Sequence, residues 1–317
     1  MMQEPIFLKA HLEEKIWGGQ KLHSQFGLDL PSDQTGEAWV ISGHEHGQSI
    51  VTSPEAFAGS TLVDLYHDHP EFFAGQTAER FPLLIKIIDA KEDLSVQVHP
   101  DDEYGLAHEN DLGKTECWYI MDADPGAYII YGHNAVNKAQ FLEMVDQGDW
   151  DQLLRKVPVK AGDFFAVPAG TIHAIGGGVL ILETQQSSNT TYRVYDYDRT
   201  DAQGNQRDLH IQQSVDVTLF PHKDTTAQGK LTELPGGCIQ DYWTNEYFSV
   251  AKWTVEDNLH INLSDKYQLC TVLDGQGQVT VGDKAWDVKA ADAFILPSDL
   301  SEVTLTGQFS LMVAEEA

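Results

Sequence analysis

Lys160-Ala161-Gly162-Asp163-Phe164-Phe165-Ala166-Val167-Pro168 is a short apolar run fenced by a glycine-containing turn before it and a proline after it. A run this short, rich in β-formers and bounded by breakers, predicts a buried strand. The pattern returns at Lys289-Ala290-Ala291-Asp292-Ala293-Phe294-Ile295-Leu296-Pro297, with Lys, Ala, Asp, Phe and Pro in matching places. Each copy is followed by a polar turn and a further apolar strand, so the chain reads as two related β-barrel units. Upstream of the first copy, Phe81 to Ile88 is β-rich, and Leu94 to His99 alternates with the period of two of a half-buried strand. Tyr119-Ile120, Ala127 to Tyr131 and Gly178 to Glu183 add further short strands. Many such strands, punctuated by Gly and Pro, predict a mainly β chain of two antiparallel jelly-roll barrels rather than an α/β sheet.

Helical structure is expected only as a small portion of the N-terminal part. Phe57 to Phe73 has helix-compatible apolar spacing. Residues 137 to 155 predict a helix with Asn137 as N-cap and Phe141, Val145, Trp150, Leu153 and Leu154 on one face. A boundary is expected in the polar stretch from His222 to Gly237. That gives a metal-binding domain at 1–230 with a helical insertion, and a degenerate β domain without metal at 231–317.

Composition narrows the function. The 317 residues carry a formal net charge of -29, which argues against partners that need a basic surface, nucleic acid and anionic membrane. An anionic substrate would therefore need a local group of Lys and Arg. The three cysteines, Cys117, Cys238 and Cys270, are far apart and form neither a disulfide framework nor a CxxC metal motif. The start of the chain lacks the features of a signal peptide, and no apolar window approaches a membrane span. A cytoplasmic protein is expected, monomeric or weakly homo-oligomeric.

Gln97 and His99 are two apart on the predicted strand, so both side chains leave the same face. Glu116 opens the next apolar run, and His173 closes Pro168-Ala169-Gly170-Thr171-Ile172-His173, a hairpin that aims the imidazole inward. Two imidazoles, a carboxylate and a carboxamide suit one borderline divalent ion per chain, zinc first, with manganese, iron or cobalt as alternatives. Vacant coordination positions would make such a site catalytic. The second copy of the repeat has Glu302 where the first has His173, which predicts a barrel without its own metal. His44-x-His46 and His67-x-His69 have one-face spacing too, but their flanks read as solvated loops. Around the first set, Lys114 stands two residues before a candidate ligand, and Arg193 follows with Tyr192 and Tyr195 beside it. Lys86 lies in an apolar strand, where a surface-seeking side chain is an equal reading. Arg199 and Arg207 read as solvated. Glu183 is a carboxylate in the apolar run Leu180 to Glu183, where it needs a reason to be present.

These residues give the chain its resemblance to the type I mannose-6-phosphate isomerases of the short bacterial form. It is carried by Glu13-Glu14-Lys15-Ile16-Trp17-Gly18-Gly19, by Gly36-Glu37-Ala38-Trp39 with Ser42, and by Leu94 to Asp101. It continues through Gly113-Lys114-Thr115-Glu116-Cys117-Trp118, Pro168 to His173 and Glu183 to Arg193. The resemblance implies a zinc-containing cupin that interconverts mannose 6-phosphate and fructose 6-phosphate. It further implies that Gln97, His99, Glu116 and His173 hold the metal, that Arg193 is catalytic, and that Ser95, Lys114 and Glu183 line the site. An aldose–ketose exchange through an enediol or enediolate needs a proton-transfer base, for which Lys114 and Glu183 are candidates. Arg193, permanently cationic, suits an oxyanion or phosphate. Lys86 is the third cation expected at the substrate. The competing readings are a non-catalytic cupin that binds a sugar or sugar phosphate, and a metal-dependent cupin oxygenase, since two His and a carboxylate also bind ferrous iron.

Overall fold

A computed structural model of the chain describes residues 4–200, 204–227 and 229–317. Two compact units result, and neither is a continuous stretch. One gathers Met1–Leu12, Ala38–Ile87 and Ala227–Ala317; the other gathers Glu13–Glu37 and Ile88–Thr226. Where the sequence places a single cut near residue 230, the chain instead returns its first strand to the C-terminal unit. The physical reason is strand pairing: Ile6–Lys9 runs antiparallel to Ala293–Leu296, with Ile6 opposite Ile295 and Leu8 opposite Ala293. That pairing buries Ile6 completely. Residue 228, inside the expected linker, lies outside the described residues.

The C-terminal unit is an antiparallel sheet in the order Leu231–Leu234, Gly237–Thr244, Phe248–Val255, Glu302–Glu316, Gln268–Val281, Ala293–Leu296, Ile6–Lys9, Ile50–Ser53. Its core centres on Cys270, Val272, Phe294, Leu305 and Leu311. The repeat seen in the sequence is a repeat of structure. Lys160 N–H donates to Asp163 Oδ2 at 2.9 Å, and Lys289 N–H donates to Asp292 Oδ2 at 2.9 Å. Gly162 and Ala291, at the same place in the two turns, both have positive φ (92° and 69°). Each turn then feeds its strand, Phe164–Val167 or Ala293–Leu296.

The other unit holds a five-stranded sheet in the order Leu154–Pro158, Tyr128–His133, His173–Ile175, Val96–Val98, Tyr192–Tyr195. Beside it Phe164–Val167, Glu116–Ala123 and Val179–Gln186 pair in that order. These sheets are open as hydrogen-bonded, not closed barrels, and the fold is mainly β. Alternation sorts the residues of the five-stranded sheet. Val96, Val98, Ile172, Ala174, Tyr192 and Val194 pack with Phe141, Leu153 and Val215 of the covering helices. The odd-numbered residues between them, Gln97, His173 and Arg193, are thereby left on the opposite face.

The helix at the sheet's back is shorter than the stretch 137–155. Lys138–Gln147 begins where Asn137 Oδ1 accepts from Gln140 N–H at 3.0 Å and ends at Gly148 with φ 67°. A left-handed residue stops the i→i+4 ladder, so Trp150–Leu153 is a separate turn and Leu154 already starts a strand. Upstream, the helical region expected at 57–73 forms as Leu62–Asp68 flanked by two 3₁₀ turns. Among the described residues, no helix is long and apolar enough to cross a membrane.

Candidate metal centre

The register of the five-stranded sheet builds the centre. Gln97 is the cross-strand partner of both His173 and Arg193, so three distant parts of the chain place their side chains in one row. From the neighbouring sheet, Glu116 sits opposite Val167 and Gln185. His99 follows Gln97 on the same face, its carbonyl accepting Gly170 N–H at 2.9 Å.

His99, Glu116 and His173 are each 1% exposed or less, and their ligand atoms all lie within 4.8 Å of one another. Glu116 Oε2 is 3.5 Å from His99 Nε2, and Glu116 Oε1 is 3.4 Å from His173 Nε2. Each ring's other nitrogen decides what those contacts are. His99 Nδ1 lies 2.9 Å from the Thr190 carbonyl, and His173 Nδ1 lies 2.9 Å from the Thr171 carbonyl. A carbonyl only accepts, so Nδ1 carries the proton and, in the neutral ring, Nε2 presents a lone pair. Burial pushes the His173 pKa down to about 3, with Lys114 adding to the effect and the Thr171 hydrogen bond opposing it. Lone pairs of two imidazoles and a carboxylate thus converge in a buried space, an arrangement that a cation relieves. Tetrahedral ligands with metal bonds of about 2.0–2.1 Å stand roughly 3.4 Å apart, close to the two Glu116–imidazole separations. The residues present therefore fit a divalent metal. The Gln97 carboxamide lies 3.4 Å from His173 Nε2; half a turn about its last bond exchanges oxygen for nitrogen at that position.

The expected cations are placed as follows. Lys114 is buried, with Nζ 3.3 Å from Glu116 Oε2. Arg193 donates through Nε to Ser95 Oγ at 3.3 Å and through a terminal nitrogen to the Asp208 carbonyl at 2.8 Å. Desolvation, then Arg207, lowers its pKa. Glu183 is also buried, and its Oε2 accepts from the Trp118 indole N–H at 3.0 Å. That bond explains a carboxylate in an apolar strand, and the Trp118 ring meets His173 edge-on at 5.2 Å. Lys86 belongs to the C-terminal unit, buried in the strand Leu83–Ala90 rather than reaching water, with Nζ 5.1 Å from the centre of the Trp39 ring.

Several sequence readings change. Arg199 and Arg207 are partly buried rather than fully solvated: both grip the buried Asp196 carboxylate at 2.6 Å. His44 is buried against Trp39 at the end of the strand Thr35–His44, and His67 is exposed on the helix Leu62–Asp68 rather than in a loop. The carbonyls of Thr171 and Thr190, which set both imidazole tautomers, carried no signal, since any residue supplies a carbonyl. Trp118 was inside the motif Gly113 to Trp118 and readable as a neighbour of Glu116.

Fold and centre together define a mainly β protein of the cupin class with a buried His–Glu–His group able to hold a metal ion. Family comparison is more specific. Residues 6–135 match the catalytic domain of type I phosphomannose isomerase, and residues 238–315 match the mannose-6-phosphate isomerase cupin domain. A mannose-6-phosphate isomerase of Streptococcus mutans is 48% identical over 99% of this chain and 98% of its own. One from Bacillus subtilis is 45% identical over 99% of each chain. A crystal structure of the Bacillus subtilis mannose 6-phosphate isomerase superposes with a TM-score of 0.95 at 44% identity, covering 98% of this chain and 99% of that one. The chain belongs to the type I phosphomannose isomerase family.

Proposed function

We propose that this chain interconverts mannose 6-phosphate and fructose 6-phosphate in the cytoplasm, using one zinc ion held by Gln97, His99, Glu116 and His173. The observation that carries the reading is the buried His99–Glu116–His173 group with Lys114 at its edge and Arg193 in the same row. Family membership supports the particular sugar. Zinc is favoured by a mixed nitrogen and oxygen donor set. When bound, the ion supplies Lewis acidity toward the sugar oxygens.

The chain's own residues supply the rest. Exchange of an aldose for its 2-ketose moves one proton between C2 and C1 through an enediolate. Arg193, steadied by Ser95 and the Asp208 carbonyl, offers its remaining N–H groups to the phosphate or the enediolate oxygen. Lys114 and Glu183 are the groups proposed to move the proton, and Ser95 to assist in holding the substrate. The C-terminal unit, with Glu302 exposed where the first copy has His173, is proposed to act without a metal of its own.

A coupled assay with mannose 6-phosphate, run before and after complete chelation and after return of zinc, tests this directly. Turnover that disappears with the metal and returns with zinc supports the reading. Full activity in metal-free protein sinks the metal-dependent mechanism, and tight sugar-phosphate binding without turnover by loaded protein sinks the isomerase. Solvent isotope exchange into substrate separates the bases: K114M and E183Q should differ, the variant lacking the proton carrier losing exchange.

A further inference from the structure

His99 depends on a carbonyl that belongs to no strand. Thr190 lies in the connection between Val179–Gln186 and Tyr192–Tyr195, so no ladder of backbone hydrogen bonds fixes the direction of its C=O. Asp111 ties this loop down. Its Oδ2 accepts from Ser188 Oγ at 2.9 Å, from Thr190 Oγ1 at 3.0 Å and from Asn189 N–H at 3.3 Å. Its Oδ1 accepts Leu112 N–H at 2.9 Å. The loop is tied from the other side as well: Gln185 Nε2 donates to the Ser188 carbonyl at 2.7 Å. The Thr190 carbonyl held in this way is the one that takes His99 Nδ1–H.

We propose that Asp111 is a positioning residue for the metal centre, acting through Ser188, Asn189 and Thr190 on the tautomer and direction of the His99 ring. The inference rests on the reading of His99, Glu116 and His173 as metal ligands. A single oxygen that gathers three donors pins an irregular loop as a strand pairing otherwise would. The donors outweigh the cost of desolvation and hold the Asp111 carboxyl below its ordinary range, so the acceptor is the charged form. Asp111 also sits three residues before Lys114 and five before Glu116. One short segment thus supplies a ligand and a cation directly, and orients a second ligand through the loop.

The test measures zinc affinity by chelator competition on full-length parent, D111A, D111N and the double variant S188A/T190V. Absorption spectra of the cobalt-substituted proteins and thermal unfolding of the metal-free ones accompany it. D111A should lose about 10–100-fold in zinc affinity, the range for removing a partner that orients a ligating histidine. D111N should lose less, because its carboxamide oxygen still accepts, and the double variant should fall alongside it. The cobalt spectra should shift in the same order. Should D111A fail to fold, the other two decide. Zinc affinities within about twofold of the parent in the folded variants, or a drop in metal-free unfolding temperature with affinity unchanged, would overturn the inference. A parent that binds no metal overturns it together with the metal centre. A parent that binds zinc but does not convert mannose 6-phosphate overturns the proposed function and leaves this inference intact.

Discussion

Each imidazole in the centre owes its lone pair to a backbone carbonyl, so the effects of single residues can be sorted by what they touch. His173→Ala removes a nitrogen that is buried, neutral and directed at Glu116. It should lose metal and turnover together, by more than the about 100-fold that loss of an outer partner costs; metal analysis per chain and the coupled assay check both. Stoichiometric zinc in purified His173→Ala would strike His173 from the ligand set. Arg193→Ala is the contrasting case. Its partners are Ser95 and a carbonyl, not the ligand atoms, so metal content should stay at the parental level while kcat falls about 100- to 1,000-fold, the scale of one lost oxyanion partner. His67→Ala, on an exposed helix end, should change neither metal nor activity. His44→Ala should leave metal content unchanged and lower stability, because its ring packs on Trp39.

At the level of elements, the helix Lys138–Gln147 offers two measurable ends. Asn137→Ala removes the cap that accepts Gln140 N–H and should cost about 1 kcal/mol in a urea titration. Gly148→Ala forces a side chain into positive φ and should cost about 1 kcal/mol or more. The two substitutions also mark what the sequence could disclose. Asn137 was legible as a cap because its side chain acts on its own neighbours. The helix end was misplaced because apolar spacing continues through Trp150 and Leu153, whereas a single left-handed glycine had already ended the ladder. Alternation over Leu94 to His99 correctly put Gln97 and His99 on one face, a purely local fact. The register that sets Arg193, Gln97 and His173 side by side is non-local: residue types and spacing suggested the grouping but not the pairing. Nothing local marks Ile6–Lys9 as the partner of Ala293–Leu296 rather than of its sequence neighbours. The same holds for the Asp111 loop, whose role depends on the folded path of residues 187–190.

For the whole molecule, the charge of -29 and the buried imidazoles act in different pH windows, and this makes the second effect testable. Carboxylates titrate near pH 4, histidines near 6.5. Burial lowers the pKa of His133, which sits 3.1 Å from the Leu219 carbonyl between Phe141 and Phe220. Burial also lowers that of His222, despite Asp224 at 3.0 Å, and His173 is pushed down to about 3. In every case the folded pKa lies below the unfolded one. The unfolded chain therefore takes up protons that the native protein refuses, and stability is fully present above pH 6.5 and lost as pH falls below it. His173 alone should remove about 1.6 kcal/mol from the metal-free protein between pH 6.5 and 5. With a metal ion on His173 Nε2, as proposed above, protons would compete with the ion and acid should release metal before it unfolds the chain. Urea titrations of chelated protein at pH 7.5, 6.5, 5.8 and 5.0 should show a falling midpoint with unchanged slope. The fall should persist in about 1 M salt, because screening reaches exposed charges and not buried rings. A midpoint that stays flat over this window would mean that water reaches His173 once the metal is gone, and the dry centre would then be a property of the loaded protein alone.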